Sequence, residues 1–273
     1  MKTRVLASTL LLAIGCSRAP TGDPTATLTF VRDGATVKTM TLGDLTKAVS
    51  PEMLTAYDPY YERRKTYRAL PVRAVLAAGF GADSAFASHE YVLRAKDGYT
   101  VPVSGDLLWE EGAYVAFADE GAPGWEPIGP QKANPGPYYL VWRGDKQQSL
   151  DSHPRPWQLA TIEIAKFEAV FPLTVPEGQP DDSPARRGFA IFRGECIRCH
   201  AMNRQGGRIG PDLNVPKSIV EYRPTAQIRE YVRNPSAFRY GAMPAHPQLT
   251  DGDLDSLIAY FEAMKTRKVD PGK

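Results

Sequence analysis

Two cysteines three residues apart with a histidine directly after them, Cys196-Ile-Arg-Cys199-His200, carry the most distinctive chemistry in this chain. On a helical turn the two thiols lie on nearly the same side. There they can add to the two vinyl groups of one porphyrin while the adjacent ring nitrogen reaches its iron. Two other chemistries use parts of the pattern. A structural zinc site takes four protein ligands, and the chain has no second cysteine pair to supply them. A dithiol redox pair needs no following histidine and is expected beside a βα turn. The remaining cysteine is Cys16, so no pair is left over for a structural disulfide.

The elements that must position this pentapeptide are legible around it. Ser183-Pro184 supplies an N-cap and a first-turn proline, after which Phe189, Phe192 and Cys196 fall at helical spacing on one face. Residues 225–233 predict a short helix stopped before Pro235. Thr250-Asp-Gly-Asp253 reads as a capping box ahead of a stripe formed by Leu254, Leu257, Ile258 and Phe261. The C-terminal part, 184–268 with a short tail at 269–273, is therefore expected to be all-α.

Upstream, 172–184 holds four prolines, acidic residues and no apolar periodicity, which predicts an extended linker over 172–183. Residues 26–171 read as an α+β domain, a mixed sheet with short helices. Asp33-Gly34 and Asp97-Gly98 are hairpin turns. Pro71 and Gly79 bracket a short helix, and Ser104 caps another that runs to Trp109. Further strands are expected at 113–118, 138–142 and 161–171. Three aromatic and proline-rich pieces, around Tyr60-Tyr61, Trp125 and Arg155-Pro-Trp157, read either as loops packing their own rings or as a groove for a partner. Arg63-Arg64-Lys65 reads as a solvated basic loop, and His89 and His153 stand isolated in sequence.

At the start, Lys2 and Arg4 precede an apolar run from Val5 to Ile14 that is too short to span a bilayer, predicting a signal peptide over 1–15. Gly15-Cys16 resembles the bacterial lipoprotein cleavage pattern. That resemblance implies export, a lipidated Cys16, a tether over 16–25 and a body held at a periplasmic or extracytoplasmic membrane surface; in a Gram-negative source, Ser17 in place of a retention aspartate favours the outer membrane. From Cys16 onward 31 Lys and Arg face 31 Asp and Glu, a balance that argues against charge-driven nucleic-acid binding.

From Ser183 to about residue 268 the chain resembles class I c-type cytochromes. The resemblance rests on Gly188-x-x-x-Phe192-x-x-x-Cys196, on Gly210-Pro211-Asp-Leu213, on Asn234-Pro235 with Met243-Pro244, and on Leu257-x-x-Tyr260-Phe261. It implies one covalent haem c on Cys196 and Cys199, with His200 and Met243 as axial iron ligands. It also implies that the Pro211 carbonyl accepts from the His200 ring, and that two helices cross closely at Gly188. Asn214 departs from the small residue common there, with an effect expected on loop conformation alone. His246 competes with Met243 for the sixth position, but reads as a partly exposed surface histidine.

Residues 27–171, through Tyr67-Arg-Ala-Leu-Pro71 and Asp97-Gly98-Tyr99, resemble the sulfite-oxidase-like molybdopterin-binding fold. That family ligates molybdenum through a cysteine, which this domain lacks, so a cofactor-free docking domain is expected and molybdopterin is not. These features predict an electron carrier passing single electrons between redox protein partners. Two alternatives are a redox enzyme subunit whose first domain binds molybdopterin or copper, and a haem-based sensor.

Overall fold

The Asp33-Gly34 turn forms where expected, with both residues at positive φ, and joins β1 (Thr27–Arg32) to β2 (Ala35–Thr41). The computed structural model describes residues 22–122, 124–129, 132–239, 241 and 243–270. The expected signal peptide and Cys16 lie outside them. Within the expected tether, residues 22–25 already lead into the fold: the next residue, Ala26, is buried and its carbonyl accepts from Leu42 N at 2.7 Å.

Helix α1 (Leu42–Ala48) opens on a Thr41–Asp44 capping box. After it comes a hairpin that the sequence did not reveal, β3 (Glu52–Asp58) and β4 (Arg63–Pro71). Its strands were obscured by the polar run that includes Arg63-Arg64-Lys65. That run is no solvated loop, because β4 turns Lys65 inward onto Asp119 and Glu126, each at 2.6 Å. Helix α2 (Val72–Phe80) has Pro71 as its N-cap and ends at Gly81, whose φ is +83°. The helix thus runs past Gly79, whose missing side chain makes room for Phe30: an added Cβ would lie 2.1 Å from that ring.

The second hairpin is β5 (Glu90–Ala95) and β6 (Thr100–Ser104), followed by the short α3 (Gly105–Leu108) capped by Ser104. Then come β7 (Ala113–Asp119), β8 (Tyr139–Trp142) and β9 (Leu159–Ile164). The strand expected over 161–171 stops at Ile164, and Phe167–Val170 forms α4. Turning there buries Phe167 and Phe171 side by side, with ring centroids 5.0 Å apart.

These strands make two sheets. One is mixed, in the order β2-β1-β9-β5-β6, with β1 and β9 parallel; the other is antiparallel, β3-β4-β7-β8. Leu28, Phe30, Tyr91, Leu93, Val115, Leu140 and Trp142 form the core between them. Every residue of β7 is buried, because the outer face of its sheet is covered as well. The cover comes from the three aromatic pieces. Tyr60 meets Trp157 edge-on at 4.9 Å, while Trp125 stands 6.1 Å from Tyr67 and 6.4 Å from Tyr139. Beneath them the fully buried Asp58 accepts from the hydroxyls of Tyr67 (2.8 Å) and Tyr139 (2.9 Å) and from Tyr60 N (3.0 Å). A buried carboxylate is tolerated when donors surround it in this way.

The expected linker is not extended in its first half. Thr174 is fully buried, and its carbonyl accepts from the Tyr260 hydroxyl at 2.7 Å. Val175 packs against the C-terminal core. The prolines stiffen this stretch, while Thr174 and Val175 bind it to the surface it crosses.

The C-terminal part comprises α5 (Pro184–Ile191), a π-helical turn Phe192–Cys196, a two-residue pairing of Ala201–Met202 with Gln205–Gly206, α6 (Ile219–Tyr222), α7 (Thr225–Arg233) and α8 (Asp251–Lys265). Ser183 caps α5 by accepting from Arg186 N at 3.2 Å, and Thr250 and Asp253 form the capping box of α8. Both caps are as the sequence predicts. Strand alternation sends Tyr91 and Leu93 into the inter-sheet core and Val92 the other way, into a second core with Phe167, Phe189, Phe192 and Tyr260. The two parts therefore share a packed boundary. Arg193 closes it by pairing with Glu90 (2.8 Å) and Glu168 (3.2 Å) while lying over the Phe167 ring. Among the described residues no helix is long and apolar enough to cross a membrane.

Candidate haem-binding site

The site is built from the crossing of α5 and α8. A Cβ on Gly188 would lie 2.0 Å from the Ser256 carbonyl oxygen, so only glycine permits this approach. Closeness here stacks Tyr260 against Phe192 (5.3 Å) and Phe189 (5.8 Å). Helix α5 then widens into the π-turn, where Ile197 N donates to Phe192 O at 2.9 Å. Such turns recur at functional sites, because the extra residue changes the direction of the side chains after it. Here those side chains belong to the pentapeptide: Cys199 N (3.1 Å) and His200 N (2.9 Å) both donate to Cys196 O. One turn thus gathers two thiols and an imidazole.

His200 Nδ1 lies 2.8 Å from the Pro211 carbonyl oxygen. A carbonyl can only accept, so Nδ1 carries the proton and Nε2 keeps its lone pair. Burial lowers the His200 pKa, which keeps the ring neutral, as a metal ligand must be. The ring rests on Gly210, where a Cβ would lie 2.4 Å from Cε1 and 2.9 Å from Nε2. Gly210→Ala is accordingly expected to push the ring off its carbonyl. Holoprotein carrying that change should show weakened axial ligation, read as partial loss of the low-spin ferric spectrum.

The thiols are unpaired with each other. Burial pushes Cys196 up to about 12 and Cys199 up to about 11, so neither is a thiolate at neutral pH. A dithiol redox centre needs the opposite. Among the described residues no group of three His, Cys, Asp or Glu could hold a metal ion, so the zinc reading gains no ligands from the fold. His89 pairs with Asp83 (2.9 Å) and His153 with Glu110 (3.1 Å), far apart in the first domain's sequence and in separate ion pairs.

Met243 and Cys196 are both half-buried against the apolar cluster that contains Phe192, Ile197, Leu213 and Leu249. Met202 and Met264 are fully buried core residues, and Met53 is exposed on the first domain. A thioether at the edge of this cluster, a neutral imidazole and two thiols form a donor set that fits haem c.

Two expectations need correction. His246 is buried, with Nδ1 3.6 Å from the Glu195 carboxylate and its amide bonded to Val232 O. Its sequence neighbours are exposed, which hid this. Asn214 does more than shape a loop: its buried amide donates to Met264 O and to Asn203 Oδ1, both at 2.8 Å, tying the loop to α8.

Residues 183–261 match the family model described as cytochrome c oxidase, cbb3-type, subunit III. This is a c-type cytochrome domain. It implies haem c and an electron-transfer haem protein. A curated relative, cytochrome c oxidase subunit 2 of Alkalihalophilus pseudofirmus, is 26% identical over 117 residues, covering 40% of this chain. The match spans about a third of that relative's length (34%). The cytochrome domain therefore sits beside a mixed-sheet domain that the family match does not cover.

Proposed function

We propose that the chain is an exported, lipid-anchored monohaem cytochrome that passes single electrons between redox proteins at an extracytoplasmic membrane surface. Its first domain serves to dock and position. The observation that carries the haem reading is the His200 Nδ1 to Pro211 carbonyl bond, which leaves Nε2 with a free lone pair able to ligate a metal. Bound haem c supplies a one-electron iron couple. Cys196 and Cys199 would hold it through thioethers and His200 would ligate its iron, with Nε2 made more basic by the Pro211 contact. Met243 would supply a second iron ligand and would raise the potential relative to a second histidine. With His200 and Met243 both as iron ligands, no position would be left for substrate, which supports a carrier over an enzyme or a gas sensor. The similarity to part of an oxidase subunit supports a redox protein as partner, and Cys16 supports the anchor. Elemental analysis of natively matured protein should give one iron per chain without molybdenum or copper, and its reduced form should not bind carbon monoxide. Stoichiometric molybdenum or copper would instead make the first domain an active site.

A further inference from the structure

The segment between the two haem-attachment cysteines is not exposed to solvent as a free loop. Thr100 N of β6 donates to Arg198 O at 3.0 Å, and Arg208 N donates to Gly98 O at 3.1 Å. The turn of the β5–β6 hairpin thus pairs with the backbone on both sides of Cys199-His200. Gly98 has φ +94°, and its ideal Cβ would lie 3.0 Å from Arg208 Cβ, so the turn sits hard against this segment. The Arg198 guanidinium reaches the other way, donating to Asp151 O at 3.2 Å and Leu150 O at 3.5 Å. Asp97, at the hairpin turn, is braced by Trp157 Nε1 at 3.3 Å.

We propose that the β5–β6 hairpin, with the Leu150-Asp151 loop, is one wall of the haem site: it seals the Cys199 edge from water and partners and sets the haem potential through Arg198 and Asp97. This rests on the haem-carrier reading above. The first domain is then part of the redox centre itself. Ferric haem carries one more positive charge than ferrous. Excluding water and holding the Arg198 cation at this edge therefore favour the ferrous form, while the Asp97 carboxylate opposes them. The rim near Met243 contrasts with this. Phe238 is 43% exposed there, Pro244 and Ala245 are exposed, and no bond joins this loop to the first domain among the described residues. Electron exchange runs through that open side.

The test uses full-length holoprotein. Arg198→Ala removes the cation and admits water, effects of the same sign, and should shift the ferrous/ferric equilibrium roughly three- to tenfold toward ferric. A tenfold shift reads as about 59 mV for one electron. Asp97→Asn keeps the turn's acceptor oxygen and should shift the equilibrium the other way by a few-fold, a change that a merely structural turn would not cause. Hydrogen exchange on the unmodified protein provides the check that needs no variant: the Thr100 and Arg208 amides should be protected. The wall is overturned if those amides exchange as in unstructured chain and Asp97→Asn leaves the midpoint unchanged. In that case a protein with attached haem and a one-electron wave still stands as a carrier. Absence of attached haem overturns the carrier reading and the wall together.

Discussion

Met243→Ala is expected to leave haem attached while opening the sixth coordination position. In the proposed reading attachment depends on Cys196 and Cys199, whose turn is held by bonds to Cys196 O and by the π-turn before it, none of which involves Met243. In the reading proposed above, ligation does involve it. With the thioether gone, the reduced protein should bind carbon monoxide and the ferric form should lose its low-spin spectrum. The potential should fall by more than the ~59 mV of a tenfold change, because methionine sulfur is what favours ferrous iron. His246 is the group positioned to interfere. It lies three residues on, buried against Glu195. Its entry into the vacated position would keep the iron low-spin and lower the potential further, so Met243→Ala is best compared with the Met243→Ala, His246→Ala double variant. An unchanged ferric spectrum in both would show that Met243 is not the ligand.

Gly188→Val should cost the cytochrome domain about 4 kcal/mol or more, a large share of a small domain's stability, and lower its melting temperature by roughly 15 °C or more. The atoms an added Cβ meets are the Ser256 carbonyl oxygen at 2.0 Å and its carbon at 2.5 Å, which are backbone and cannot rotate away. The helices would have to part, and with them the contact of Tyr260 with Phe189 and Phe192. Gly194 is the control. Nothing lies within 4 Å of its ideal Cβ, so Gly194→Ala should move the melting temperature by only a few degrees. Thermal unfolding of the two variants side by side checks the prediction. Equal melting temperatures would mean that α5 and α8 do not cross as described.

Much of the cytochrome domain could be read in advance because its signals are short-range. Cys196, Cys199 and His200 sit within one turn, so their spacing alone implies a shared site. Ser183 and Thr250 cap helices through bonds to residues three positions on. The Asp-Gly turns at 33–34 and 97–98 close hairpins for the same local reason. The first domain was less legible. The β3–β4 hairpin hid behind Arg63-Arg64-Lys65, because a lysine in a strand reads as surface until its partners are known. Those partners, Asp119 and Glu126, are 54 and 61 residues away.

The spacing of the pentapeptide, the helices around it and the turns of the first domain are encoded locally, since each depends on backbone geometry over a few residues. Which side of the pentapeptide is covered depends on long-range packing. The pairing of Thr100 with Arg198 and of Gly98 with Arg208 joins residues about a hundred positions apart, as does the Arg193 bond to Glu90 across 103 residues. No local pattern encodes such contacts. They arise from the sheet order that sets β5 and β6 beside β9, and from Val92, Phe167 and Phe171 facing outward to receive Phe189 and Phe192. Burying that shared apolar surface is what presses the Cys196–His200 segment against the hairpin.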